Sequence, residues 1–150
     1  MLRNVLDDFL GRANERELDL PLLALLPAIG FHDVHLIHGS VEFGKDFIAK
    51  RAEDGVGVQY VFQSKAGDIN HAEWRRIEPQ IIEAAINTLG HPNFDATLPR
   101  QTVLITSGDL SGNARLGLQN LNDGLMKRIC ASPVIYWIGR TSSNSCWNSA

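Results

Sequence analysis

The sequence predicts an α/β fold in which a mixed β-sheet is flanked by helices. Two patterns lead to this class. The first is a set of segments with apolar residues spaced three or four apart, which is typical of helices. The second is a set of short runs rich in β-branched and aromatic residues, which is typical of strands, and the two kinds of segment alternate along much of the chain. The predicted order of elements is α-α-β-β-β-α-β-α-β, and helices that interrupt the strands in this way cover the faces of a sheet. The 150 residues fit one domain over residues 1–138, followed by a polar tail at 139–150 or the start of a further segment.

The first half of the chain is predicted to hold two helices and then three strands. Apolar residues at helical spacing indicate helices at residues 2–10 and at about 14–28, and a glycine follows each of them. Alternating apolar residues indicate strands at 34–37, 46–50 and 57–65. The sequence Glu-Asp-Gly between the last two strands is typical of a tight turn, so these two strands are predicted to form an antiparallel hairpin.

The second half is predicted to alternate helices and strands. A helix is predicted at residues 78–89, with a proline in its first turn, where a missing N–H is tolerated. The apolar run at 102–106 is typical of a buried strand. Ser111 can cap the following helix, which extends to Ile129, and residues 133–138 form the last predicted strand.

Polar residues interrupt the hairpin where a buried strand would stay apolar. Asp46 begins one strand, and Gln63 and Lys65 end the next. The start of one antiparallel strand lies beside the end of its neighbour, so these three side chains are expected to meet at one rim of the sheet. A carboxylate and an amide oxygen suit Mg²⁺, and an adjacent ammonium can orient water or offset phosphate charge. This set of groups suits phosphodiester hydrolysis. The alternative is a strand end that reaches solvent, with a lysine extended along the surface.

Composition narrows the possible classes of protein. The hydrophobic content of 44% and charged content of 21% are those of a soluble globular protein, and no apolar run is long enough for a membrane helix. Two distant cysteines and the lack of a secretory signal favour a reduced, cytoplasmic chain. The net charge of −3 disfavours binding to nucleic acid through a general basic surplus. Binding would need a local patch, a partner or an attached domain.

The segments GSVEFGKDFIAK and YVFQSKAGDI resemble the core of the restriction-endonuclease-like PD-(D/E)xK nucleases. The resemblance is strongest to the branch of type IV-like restriction nucleases and Holliday-junction resolvases, and it covers roughly residues 12–138. It implies a core order of α-β-β-β-α-β. It also implies that Asp46 binds metal, that Gln63 occupies the second ligand position, and that Lys65 is the catalytic lysine. Glu17, with Glu15 as an alternative, matches the glutamate of the preceding helix.

The resemblance therefore implies a nuclease that hydrolyses DNA with Mg²⁺, for which Mn²⁺ can substitute. Gln63 departs from the family pattern, in which this position is more commonly acidic. The predicted contacts to the nucleic-acid backbone are Lys45, Arg75 and Arg76. The two arginines are also explained by a solvent-exposed segment that leads into the next helix. A homodimer, or a further domain or subunit, is expected to complete target recognition. The alternative function is a catalytically decayed binding or scaffolding module of the same fold.

Overall fold

The computed structural model describes residues 18–37, 46–129 and 131–138, which form one five-stranded sheet and three helices. The order along the chain is α-β-β-β-α-β-α-β. The elements are α1 (Asp19–Ala28), β1 (His32–Leu36), β2 (Phe47–Glu53), β3 (Val56–Lys65), α2 (His71–Ile86), β4 (Arg100–Thr106), α3 (Gly112–Ile129) and β5 (Ile135–Ile138). None of the helices in this part of the chain is both long and apolar enough to cross a membrane.

The strands lie in the order β1-β2-β3-β4-β5, and the sheet is mixed. The first three strands pair antiparallel, whereas β3, β4 and β5 pair parallel. The β2–β3 hairpin turns at Asp54 and Gly55, which both have positive φ angles, as a tight turn requires. The predicted hairpin and the predicted mixed α/β sheet are thus confirmed.

Side chains alternate along the strands and divide the core between the two faces of the sheet. Phe47 of β2 and Phe62 of β3 belong to the cluster that includes the buried leucines of α1. Their neighbours Ile48 and Val61 point the other way and pack with Ala84 of α2. The α2 and α3 helices cover this second face together, through a further cluster of buried residues: Ile69, Trp74, Ile77, Ile81, Leu104, Leu110, Ala114, Leu118, Leu125 and Val134.

The predicted start of the helix at residue 78 is wrong, because α2 begins at His71 and has Pro79 in its interior. Asn70 caps the helix, since its side chain accepts a hydrogen bond from the N–H of Glu73 at 2.9 Å. Trp74 and Ile77 are both buried ahead of the proline. Their burial extends the apolar stripe of the helix and offsets the hydrogen bond that Pro79 cannot donate.

The other predicted elements in this region have the expected type, with bounds that differ by up to three residues. The strand predicted at 34–37 begins at His32, and the last strand begins at Ile135. The helix predicted at 2–10, the part of the second helix before residue 18, and the tail at 139–150 lie outside the described residues.

The α2 and α3 helices approach closely where Gly117 faces Trp74. A Cβ atom at Gly117 would lie within 3.0 Å of three atoms of the Trp74 indole ring, and Trp74 is buried. Gly124 lies further along the same helix, and a Cβ there would have no neighbour within 4 Å. The two glycines therefore differ in packing although they share one helix.

This difference predicts opposite effects for one substitution. Gly124→Ala should raise the free energy of unfolding by roughly 0.5–1 kcal/mol, because alanine has the higher helix propensity. Gly117→Ala should lower it by roughly 1–3 kcal/mol, because the methyl group overpacks the helix interface. Urea denaturation of both variants measures the two changes. Stabilisation by Gly117→Ala would contradict the described packing.

Candidate active site

Asp46 lies immediately before β2 and contacts the residues on both sides of Gln63. Its N–H donates to the carbonyl oxygen of Phe62 at 2.8 Å. Its Oδ2 accepts hydrogen bonds from the N–H of Ser64 at 2.6 Å and from the Ser64 hydroxyl at 2.9 Å. Since Phe47 and Phe62 form the last register pair of β2 and β3, Asp46 and Gln63 are neighbours at the rim of the sheet.

The carboxylate of Asp46 also has a structural role. Within the described part of the chain, the end of β3 pairs only with β4, because the regular pairing with β2 stops at Phe62. Oδ2 of Asp46 takes the place of a strand acceptor for the Ser64 N–H. Replacement by alanine would therefore remove a fold contact as well as a charge. Asparagine keeps an acceptor for Ser64, so Asp46→Asn separates the two effects better.

Two buried glutamines on the same face of β3 differ in how fully their amides are bonded. Gln59 is 1% exposed, and its Nε2 donates to the carbonyl oxygens of Ala49 and Tyr60. Its Oε1 accepts from the N–H of Asp95 at 2.9 Å, so both ends of the amide have partners. Gln59 thus has a structural role in joining the sheet to the loop before β4.

Gln63 is 7% exposed, and only one end of its amide has a partner. Its Nε2 donates to Oε1 of Gln80 on α2 at 3.3 Å. Its Oε1 accepts no hydrogen bond, and among the residues that the structure describes it is the sole buried side-chain N or O atom without one. Buried polar atoms are rarely unpaired in folded proteins. The lone pairs of this oxygen remain able to accept a hydrogen bond or to bind a cation.

Lys65 is held by a carboxylate from α2. Its ammonium lies 3.3 Å from Oε1 of Glu73, and Oε2 of Glu73 lies 3.4 Å from Nη1 of Arg76. Gln63 and Lys65 are two residues apart on β3, so both side chains project toward the face that α2 covers. The end of β3 thus carries an amide and an ammonium that are both contacted by α2.

The structure places three of the predicted catalytic residues at the same end of the sheet: Asp46 immediately before β2, and Gln63 and Lys65 at the end of β3. Arg76 is linked to them through Glu73, and Arg75 lies beside it on the exposed surface of α2. Glu17, its alternative Glu15, and Lys45 lie outside the described residues.

Sequence reasoning missed Glu73 and Gln80, the two α2 residues that contact Lys65 and Gln63. The helix was predicted to start at 78, so Glu73 lay outside the predicted helix. Their spacing is about two helical turns, which places both on one side of α2. Extending the helix back to its Asn70 cap would have revealed this relation.

The oxygen atoms at this rim fit a small hard cation. The carboxylate of Asp46 and the unpaired amide oxygen of Gln63 are the type of ligand that Mg²⁺ takes, and Mg²⁺ retains several water ligands in proteins. Within residues 18–37, 46–129 and 131–138, no three His, Cys, Asp or Glu side chains are grouped so as to hold a metal ion. The predicted ligands in the described part of the chain are thus the Asp46 carboxylate and the Gln63 amide.

A groove of about 850 Å³ lies elsewhere, between α3 and β5. It is lined by residues such as Arg115, Leu118, Tyr136 and Trp137, and it includes none of the predicted site residues. A phosphodiester of a nucleic-acid backbone is exposed to solvent, so its cleavage does not require an enclosed pocket. The rim at the end of β3 is the better candidate for this chemistry.

Comparison of the chain with protein-family models, curated proteins and solved structures found no match.

A second polar cluster lies on the edge strand β1. The carboxylate of Asp33 accepts hydrogen bonds from the Lys50 ammonium at 2.6 Å and from the Asn93 amide at 2.8 Å, and His35 Nε2 lies 2.8 Å from its Oδ1. Hydrogen bonds, first from Lys50 and then from His35, lower the pKa of Asp33 to about 2 from an ordinary 3.8. These contacts join β1, β2 and the loop before β4, which indicates a structural role.

The lowered pKa of Asp33 predicts a contribution to stability that depends on pH. The contribution should be fully present above pH 3.8 and should be lost as the pH falls toward about 2. Relative to Asp33→Asn, the wild type should lose roughly 1–2 kcal/mol of unfolding free energy across this window. Denaturation at a series of pH values measures the difference.

Asp54→Asn is the matched control, because Asp54 shares the positive φ of Asp33 but lies exposed in the hairpin turn. Equal pH dependence of the Asp33→Asn and Asp54→Asn variants would refute the assignment.

Proposed function

We propose that this protein is a divalent-metal-dependent nuclease of the restriction-endonuclease-like superfamily that hydrolyses phosphodiester bonds in DNA. Asp46 and Gln63 hold the metal ion, with Glu17 as the further ligand that the resemblance implies. Lys65 is the catalytic lysine. Mg²⁺ is the expected ion, and Mn²⁺ is expected to replace it.

The unpaired amide oxygen of Gln63 is the observation that carries the proposal. A buried acceptor without a partner costs roughly 1–3 kcal/mol, so a fold that keeps one calls for an explanation. Gln59, on the same face of the same strand, has partners at both ends of its amide. The difference supports a ligand at Gln63, beside the carboxylate that this ligand would require.

The chemistry of the chain's own groups follows from their positions. Asp46 supplies negative charge and Gln63 supplies a neutral oxygen, so together they favour a hard cation at the rim. Lys65 donates hydrogen bonds only, so it can orient a water molecule or stabilise negative charge on a phosphate oxygen. Glu73 fixes the ammonium in place. A bound divalent cation would supply Lewis acidity toward the phosphate and make a water molecule more acidic.

Contacts with nucleic acid would extend from this rim along α2. Arg76 is exposed and contacts Glu73, and the neighbouring Arg75 is exposed as well. Lys45 precedes Asp46 in the chain and would add a third cation. With a net charge of −3, the chain has no general basic surplus, so these local cations would act together with a second copy or with a further domain.

The alternative is a non-catalytic module of the same fold that binds nucleic acid or serves as a scaffold. One observation favours it: the described residues include no group of three or more His, Cys, Asp or Glu side chains that could hold a metal ion. A neutral glutamine attracts a cation less strongly than a carboxylate does. DNA cleavage separates the two functions.

The nuclease proposal predicts that wild type nicks or linearises supercoiled plasmid DNA with Mg²⁺ or Mn²⁺. Asp46→Asn should reduce the rate at least about 100-fold, because it removes the metal-binding charge while leaving an acceptor for Ser64. Lys65→Met should produce a loss of similar order, because it keeps the length of the side chain but removes its N–H donors. Gel quantification of cleaved plasmid against time measures all three rates.

Ser64→Ala is the matched control, since it removes one hydrogen bond to Asp46 and keeps the carboxylate. It should stay within about threefold of the wild-type rate, given the small net contribution of one such bond. Equal cleavage by wild type, Asp46→Asn and Lys65→Met would show that the activity resides elsewhere. A folded wild type that leaves DNA intact would support the non-catalytic module.

A further inference from the structure

The amide of Gln63 is chemically different at its two ends, although the two ends are almost equal in shape. Oε1 has lone pairs and can bind a cation, whereas Nε2 carries two N–H donors and cannot. Rotation by half a turn about the last side-chain bond exchanges them. Which end faces the rim is therefore decided by hydrogen bonding. In this structure Nε2 donates to Oε1 of Gln80 and leaves the Gln63 oxygen unpaired.

The partner, Gln80, lies on α2 at a position that does not help to pack the helix on the sheet. Gln80 is exposed, whereas the stripe that packs on the sheet comprises Trp74, Ile77, Ile81 and Ala84. About two turns earlier on the helix, Glu73 forms an ion pair with Lys65. A single helix, α2, therefore contacts both Gln63 and Lys65 of β3.

We propose that Gln80 is a positioning residue that orients the Gln63 amide so that its oxygen faces the bound cation. The inference rests on the proposed function and goes beyond it, because it assigns a role to a residue outside the predicted site. It also explains how glutamine serves at a position that is more commonly acidic in the family. A carboxylate has an oxygen at both ends and needs no orientation, whereas an amide does.

The test is a titration with Mn²⁺ in the absence of DNA. The electron paramagnetic resonance signal of free Mn²⁺ measures how much of the ion remains unbound. Gln80→Leu should weaken Mn²⁺ affinity about 10-fold, as expected when a residue that orients a metal ligand is lost. Gln80→Glu keeps an acceptor and should bind at least as tightly as wild type. In a Gln63→Glu background, Gln80→Leu should change affinity less than about twofold, because the two effects are coupled through the amide.

Each contrary outcome has a distinct meaning. Equal weakening by Gln80→Leu in both backgrounds would overturn the inference, since Gln80 would then act through the general structure of the helix. Unchanged affinity in Gln80→Leu, with binding lost in Gln63→Leu, would overturn the role of Gln80 and leave the metal site standing. A folded wild type that binds no Mn²⁺ would overturn both the inference and the proposed metal site. Thermal unfolding of each variant checks that the chain is folded.

Discussion

Among the described residues, the end of β3 has a strand partner on one side only, and the candidate site is built around this asymmetry. From Gln63 to Lys65 the strand continues to pair with β4, but its regular pairing with β2 has stopped at Phe62. Asp46 contacts the other side of the strand through a main-chain bond to Phe62 and a side-chain bond to Ser64. A carboxylate is thereby fixed beside the side chains at the strand end. The same contacts serve the fold and arrange the groups for chemistry.

The α2 helix contributes the second half of this arrangement. Its buried stripe holds it on the sheet, and the flanking residues Glu73 and Gln80 reach Lys65 and Gln63. Glu73 is shared between two cations, Lys65 and Arg76. Its charge is thus directed mainly toward protein groups. In this account Asp46 is the principal source of negative charge for a metal ion among the described rim residues, and Gln63 adds a neutral oxygen.

The sequence predicted the hairpin and the rim because both follow from local rules. The turn at Asp54 and Gly55 fixes the antiparallel pairing, and the alternation of side chains then determines which residues share a face. The start of α2 could not be read in the same way, because Pro79 is typical of a first helical turn and here lies in the interior. Burial of Trp74 in the tertiary structure outweighs this local preference.

Sequence patterns also could not predict the hydrogen bonds of Gln59 and Gln63. Gln59 and Gln63 occupy equivalent faces of β3, and no local rule distinguishes an amide that is bonded at both ends from one that is bonded at one end. That distinction depends on Asp95 and Gln80, which come from distant parts of the chain. The close approach of Gly117 to Trp74 is likewise a property of two packed helices and not of either helix alone.

The most direct test of the central claim is a crystal of the protein soaked in Mn²⁺, with data collected for anomalous scattering from the metal. The account predicts an anomalous peak within about 2.5 Å of both the Asp46 carboxylate and Oε1 of Gln63. A map without a peak at this rim, in crystals where Gln63 Oε1 accepts a hydrogen bond from another protein group, would contradict it.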